Sequence, residues 1–209
     1  RPSMGSWVTY GLGSENQNLP GFVAMCPGGY PIQETQNWQS AFLPGAFQGT
    51  YVDTKHSDPK KLVEHIEANT AGGEQRRQLD LLKELNENHQ RERSHDARLE
   101  ARLQSFELAY RMQSAAPEAL AVDQEPEHIQ KLYGLDDDKC RHIASQCLTA
   151  RRMIERGVRF VQIYSGGMEN QRSWDGHNDI KGNHSQFAIE TDKPVAGLIA
   201  DLAQRGLLN

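Results

Sequence analysis

An α/β fold, a sheet of strands with flanking helices, is predicted by three features of the 209-residue chain. Cys140, Ile143, Cys147, Ala150 and Ile154 recur at three-four-three-four spacing, the stripe of an amphipathic helix, and Gly157 stops it. A β-rich run from Val158 to Tyr164 follows at once, and a further helical pattern occupies the last part of the chain. Helix, glycine, strand, helix is the rhythm of a sheet whose crossovers are helical. The length holds one such domain or a large part of a bigger one.

The first fifty residues have another texture. Trp7, Tyr10, Phe22, Tyr30, Trp38, Phe42 and Phe47 are scattered among glycines, prolines and amides. This predicts anchored irregular loops with one or two short strands, the clearest being Gly21 to Met25 ahead of the Cys26-Pro27-Gly28-Gly29 turn. From Asp58 the pattern turns helical. Asp58 is placed to cap, Pro59 fits the first helical position, and Leu62, Val63 and Ile66 share a face before Gly72-Gly73 ends the helix. Leu79, Leu82 and Leu85 mark a second helix; Leu99, Leu103, Phe106 and Tyr110 mark a third. Balanced charges between residues 54 and 100 predict solvated helix faces, with too few heptads for a coiled coil.

Ala115-Ala116-Pro117 and Glu125-Pro126-Glu127 bracket a connector to the helix and strand already named. In the last helix Val195, Leu198, Ile199 and Leu202 are expected to face inward; Pro194 either lies in the first turn behind an Asp192 cap or kinks a longer helix. Gly206 closes that helix, and Leu207-Leu208 has the look of a lead into a strand. There is no internal repeat. Arg1 is not an initiator Met and no signal pattern follows it, so the sequence reads as an incomplete single domain: residues 1–57 a loop-rich cover, 58–126 a helical insertion, and 127–209 a helix-strand-loop-helix piece of the α/β core.

Composition excludes some functions. Lys and Arg total 23 against 28 Asp and Glu, a net charge of −5 without the clustered basic excess that phosphate backbones demand, which argues against nucleic acid as a partner. No stretch approaches the roughly 18 to 20 apolar residues of a membrane span. Cys26, Cys140 and Cys147 lack metal-type spacing, and Cys140 and Cys147 on one helix stand about 10 Å apart, beyond the reach of a disulfide. They are expected to be core thiols.

Ligands of α/β sheets collect beyond the carboxyl ends of the strands. The loop after Tyr164 lies there and gathers Asp175, His177, Asp179 and His184, the densest set of candidate metal ligands in the chain. Carboxylate oxygen with imidazole nitrogen suits zinc or a similar divalent ion, and Asp175 and His177, two apart, point the same way in an extended segment. The plainer alternative makes Asp175 a turn cap and His177 a loop hydrogen-bonder. Asp192 is more simply a cap and His184 a loop hydrogen-bonder too. Gly11-Leu12-Gly13-Ser14 lacks the strand and helix of a phosphate loop. Arg151, Arg152, Arg156 and Arg159 cluster at the wrong end of the strand for an anion site, so surface pairing with Glu155 is expected. The histidines at 65, 89, 95, 128 and 142 read as surface or helix-packing residues, and no nucleophile elbow is present.

Several stretches together resemble a known family. They are Arg1-Pro2-Ser3-Met4-Gly5-Ser6-Trp7 through Gly13, Ala41-Phe42-Leu43-Pro44-Gly45 with Gln48-Gly49-Thr50, Phe106 through Gln113, Glu155-Arg156-Gly157-Val158-Arg159-Phe160-Val161-Gln162, and Trp174-Asp175-Gly176-His177. In this order they resemble the secreted bacterial proteins grouped as domain of unknown function 1501, placed with alkaline phosphatases and sulfatases. The resemblance implies a partial alkaline phosphatase-like sheet, export to the periplasm or beyond, and a metal-dependent hydrolase of sulfate or phosphate esters on small molecules or polysaccharides. It further implies that Asp175 and His177 bind a divalent ion, zinc or calcium, with Asp179 and His184 as possible additional site residues. The better-known phosphatases space such an Asp and His more widely; here only Gly176 intervenes. The alternative is a non-catalytic exported protein whose Trp7, Trp38 and Trp174 contact a carbohydrate or protein partner.

Overall fold

The computed structural model describes residues 1–27, 30–55, 59–63, 72–92, 97–165 and 174–208. The Asp58 cap, Ile66, His65, His95 and the Gly28-Gly29 turn lie outside the described residues. The centre is a parallel sheet of three strands, β1 (Phe22–Cys26), β2 (Thr50–Asp53) and β3 (Phe160–Ile163), in the order β2-β1-β3. Val23 pairs with Thr50 and Cys26 with Asp53 on one side of β1; Phe22 pairs with Phe160 and Met25 with Ile163 on the other. β1 is buried along its whole length, which is why it reads as an unbroken apolar run rather than an alternating one.

The pleat divides its side chains between two layers. Val23 and Met25 face Val52, Leu62, Met112, Ala116, Leu120, Ala150 and Met153. Phe22, Ala24 and Cys26 face Trp38, Tyr51, Phe160 and Tyr164. Helices cover the first layer: α2 (Pro59–Leu62), the C-terminal half of α4 (Ala97–Leu120), and α6 (Arg141–Glu155). A third cluster joins α5 (Glu127–Tyr133), α6 and α7 (Ile180–Gln204) through Ile129, Tyr133, Ile143, Ala144, Cys147 and Leu148. Cys26, Cys140 and Cys147 are free and buried, as expected.

Several sequence expectations are corrected. Residues 4–12, read as irregular, form α1 (Met4–Leu12). Ser3 caps it by accepting from the Ser6 amide, and Ser6 Oγ donates to the Gln39 carbonyl at 3.0 Å, tying the helix down without any charged residue. Gly72 belongs to α3 (Gly72–Glu92) rather than ending the helix before it. Ala115-Ala116-Pro117 is no connector: α4 runs through it to Leu120, because a proline in the final turn forfeits a single intrahelical bond there. In α7 Asp192 caps nothing, since the helix begins at Ile180 behind Asp179 with Pro194 inside it.

The packed face of α7 is also shifted. Pro194, Gly197 and Asp201 are buried, whereas Val195 and Ile199, expected inward, are 44% and 51% exposed. The contact explains the phase: a Cβ at Gly197 would lie 2.6 Å from the Leu132 carbonyl oxygen, so glycine lets α7 settle onto the end of α5.

Arg151 and Arg152 are not surface residues. The Arg151 side chain is 2% exposed, with Nη1 at 2.6 Å from Glu155 Oε2. Its Nη2 is 2.8 Å from Glu125 Oε2 and its Nε 3.0 Å from Asp201 Oδ2, charge contacts rather than aligned hydrogen bonds. Asp201 also accepts from Tyr133 Oη at 2.9 Å and from Arg205 Nε at 2.7 Å. Arg152 pairs with Glu125 and donates to the carbonyls of Glu118 and Ala119, closing the C-terminal end of α4. Burial works to raise the Glu125 and Asp201 carboxyls, yet their arginine partners, with the Tyr133 hydroxyl at Asp201, outweigh it and hold both below the usual carboxylate range.

Replacing Arg151 with Ala strands these carboxylates in the interior and is expected to cost ~3–5 kcal/mol by urea unfolding. Because the folded carboxyls titrate below their unfolded values near 4, their stabilisation is complete above that pH and fades as pH falls through the lower folded values. The wild-type protein therefore loses urea resistance on acidification, and Arg151→Ala loses less.

Candidate functional site

The described part of the candidate site starts where β3 ends. Trp174 donates its indole Nε1–H to Ser165 Oγ at 2.9 Å, which places the turn 174–177 against the carboxyl end of β3. On the other side the turn runs into α7: the Asp179 amide donates to the Gly176 carbonyl at 3.0 Å. A Cβ at Gly176 would meet the Ile180 backbone at 2.9 Å, so only glycine fits between Asp175 and His177.

Asp175 Oδ1 contacts His177 Nδ1 directly, within a turn rather than an extended segment. The carboxylate is about one-third exposed and the imidazole 81% exposed, so the pair faces water at the rim of the sheet. Asp179 and His184 do not join it. Asp179 is the N-cap of α7, its Oδ1 accepting from the Gly182 amide at 2.9 Å. His184 donates from Nε2 to the Trp174 carbonyl at 2.9 Å, and its ring lies beside the Trp174 indole, which also meets Phe187. Both hold the turn in place. Among the described residues no third Cys, His, Asp or Glu completes a metal-holding group with Asp175 and His177. The donor types fit a divalent ion, and the pair is one protein ligand short of the three that catalytic zinc usually takes.

The neighbouring strand ends carry Cys26 and Asp53, which pair across β1 and β2. Sequence reasoning passed over them as site residues because each looks unremarkable alone; only the parallel register puts both at the carboxyl edge of the sheet. Burial, reinforced by the Asp53 charge, pushes the Cys26 thiol up to about 12, so it remains a thiol at neutral pH and no nucleophile. Trp38 is 2% exposed and packs with Tyr30, Tyr51 and Tyr164, which removes it from any partner-contacting role. Trp7 and Trp174 keep exposed edges, the former beside Tyr10 and Phe42. The 750 Å³ groove between α3 and α4 lies elsewhere, lined by Leu79, Leu82, Leu103 and Phe106 with Arg76 and Glu107 paired across it. His89, His128 and His142 are exposed on their helices.

The family model described as "Protein of unknown function (DUF1501)" matches residues 1–209. The chain belongs to the DUF1501 family. No curated protein and no solved structure matches it. No helix among the described residues is long and apolar enough to cross a membrane. In this DUF1501 chain Trp174-Asp175-Gly176-His177 is therefore a turn clamped at both ends, with its two ionisable side chains in contact.

The cap is separable from the pair. Asp179→Ala is expected to lower stability by about 1 kcal/mol and to speed hydrogen exchange at the Gly182 amide. Exchange within β1 should be unchanged.

Proposed function

We infer that this chain contributes the Asp175–His177 corner of a metal-dependent hydrolase that releases sulfate or phosphate from an ester, exported and built on an alkaline phosphatase-like sheet. The supporting observation is the meeting of a carboxylate and an imidazole beyond β3, on the carboxyl side of a parallel sheet and open to water. Family membership adds the resemblance that pointed to these residues first. When bound, a divalent ion would polarise the ester oxygen and supply an activated water or nucleophile. The chain's own residues give that ion an oxygen and a nitrogen donor, and the Trp174 edge beside them offers a surface for the organic part of a small-molecule or polysaccharide ester.

A second reading has its own observation. Trp7, Tyr10 and Phe42 form an exposed aromatic group on and beside α1, with Trp7 meeting Tyr10 at 6.0 Å and Phe42 at 5.8 Å. A non-catalytic protein gripping a carbohydrate or protein partner would use such a surface.

Metal analysis after dialysis against zinc or calcium distinguishes the two. The hydrolase reading expects about one ion per chain, with occupancy reduced at least about tenfold in His177→Ala. Unchanged occupancy in both Asp175→Ala and His177→Ala removes these residues from any metal site.

A further inference from the structure

We propose that the outer edge of β3 seats a fourth parallel strand, supplied by the polypeptide that follows α7 beyond Asn209. The inference stands apart from the hydrolase reading.

The backbone of β3 offers the hydrogen bonds. The Phe160 amide donates to the Gly21 carbonyl and the Tyr164 amide to the Met25 carbonyl, each at 3.0 Å, so alternate residues of β3 turn toward β1. The N–H and C=O groups of Val161 and Ile163 therefore point the other way, and no strand among the described residues takes them. The edge also lacks the usual protections, since Phe160-Val161-Gln162-Ile163 contains neither proline nor charge.

Apolar surface flanks that edge on both faces of the sheet. On the Val23 and Met25 side, Leu198 of α7 packs in one cluster with Ile163. Going round α7 from its buried face, Leu198 gives way to Leu202, Val195 and Ile199, an uncharged stripe on the side of β3 away from β1. On the other side α1 rests on Phe160 through Gly5, where a Cβ would lie 2.7 Å from the ring. Trp7 and Tyr10 of α1 lean toward Phe42 and Phe47, while Met4 and Leu12 on the opposite flank are exposed. A strand beside β3 fits between these two flanks.

Connectivity selects the source. The helical crossover from β2 to β3 runs over the Val23 side and carries the chain past β1 to the far edge. α7 covers the same side, so a crossover of the same hand sets the next strand outside β3. A second copy offering its own β3 fits poorly. Paired strands stand about 4.8 Å apart and packed helices need about 8–10 Å, so two α7 helices overhanging one junction would collide.

The test compares the 209-residue chain with the polypeptide continued past Asn209 as its gene encodes it. In dilute 209-residue protein the Val161 and Ile163 amides should exchange hydrogen rapidly, and in the continued polypeptide at least about 100-fold more slowly. Ile199→Asp should leave the urea midpoint of the shorter chain unchanged and lower that of the longer one by about 1 M. Ile189→Asp, on another side of α7, should change neither. Protection of Val161 and Ile163 in the dilute shorter chain overturns the proposal, because residues 1–209 then cover the edge themselves. Protection that grows with its concentration also overturns it, in favour of a second copy. So does fast exchange in the continued polypeptide, an Ile199→Asp without effect there, or a gene that stops at Asn209.

Discussion

Arg151 carries a full charge into the interior of the protein, and the arrangement of the second half of the chain follows from what surrounds it. A guanidinium without water costs several kcal/mol unless carboxylates meet it with good geometry. Here three carboxylates lie within 3.0 Å of it, and each comes from a different place: Glu125 from the connector after α4, Glu155, which takes an aligned hydrogen bond, from the next turn of α6, and Asp201 from α7. Apolar contacts alone would tolerate sliding between these elements. A buried cation with three anions does not, because any displacement leaves a charge unmatched. Asp201 in turn orients Tyr133 of α5, and Arg205 bridges Asp201 and Glu155 at the surface end of the cluster.

This network reaches the candidate site through two arms. α6 packs Ala150 and Met153 against the sheet and leads through Gly157 into β3, so its position sets where β3 ends. α7 is held by Asp201 near its C-terminal end and fixes, at its N-terminal end, the Asp179 cap and His184. The turn containing Asp175 and His177 hangs between those arms, joined to one by Ser165 and to the other by Asp179 and His184. A water-facing pair on a loop would ordinarily sample many geometries. Bracing from both sides is what makes a defined relation between carboxylate and imidazole physically reasonable at an exposed position.

Much of this was legible in the chain before any coordinates. β1 and β3 announce themselves because β-rich runs bounded by glycine have few alternatives, and α6 because its stripe is long and regular. The expectation for Asp175 and His177 assumed alternation along an extended segment, whereas the chain makes a turn there and the two side chains touch across Gly176. What escaped has physical causes. α1 contains Gly5, Gly11 and two aromatics, so local propensity argues against a helix that Ser3 and Ser6 nevertheless secure through Gln39. Arg151 and Arg152 were assigned to the surface because most arginines are there; the i,i+4 partner Glu155 was visible, but no local pattern tells Arg151 that its two other anions lie 26 and 50 residues away, at Glu125 and Asp201. The roles of Asp179 and His184 likewise depend on which backbone groups the fold brings to them.

α7 shows why an apolar stripe and a packed face are separate properties. Val195 and Ile199 lie on a stripe that any periodicity argument turns inward, yet they are the exposed side of the helix. The face that packs contains a proline, a glycine and an aspartate, residues that periodicity scores as poor core. Two specific interactions decide the rotation. Gly197 permits backbone approach to Leu132, and Asp201 must reach Arg151; they are four residues apart and so lie on one side of the helix. Turning α7 to bury Val195 and Ile199 instead would open the close approach and leave the Arg151 charge short of an anion. Burying two aliphatic side chains gains about 1.5–3 kcal/mol each at most, comparable to the roughly 3–5 kcal/mol lost by breaking a buried ion cluster, and the lost close packing at Gly197 tips the balance toward the observed rotation.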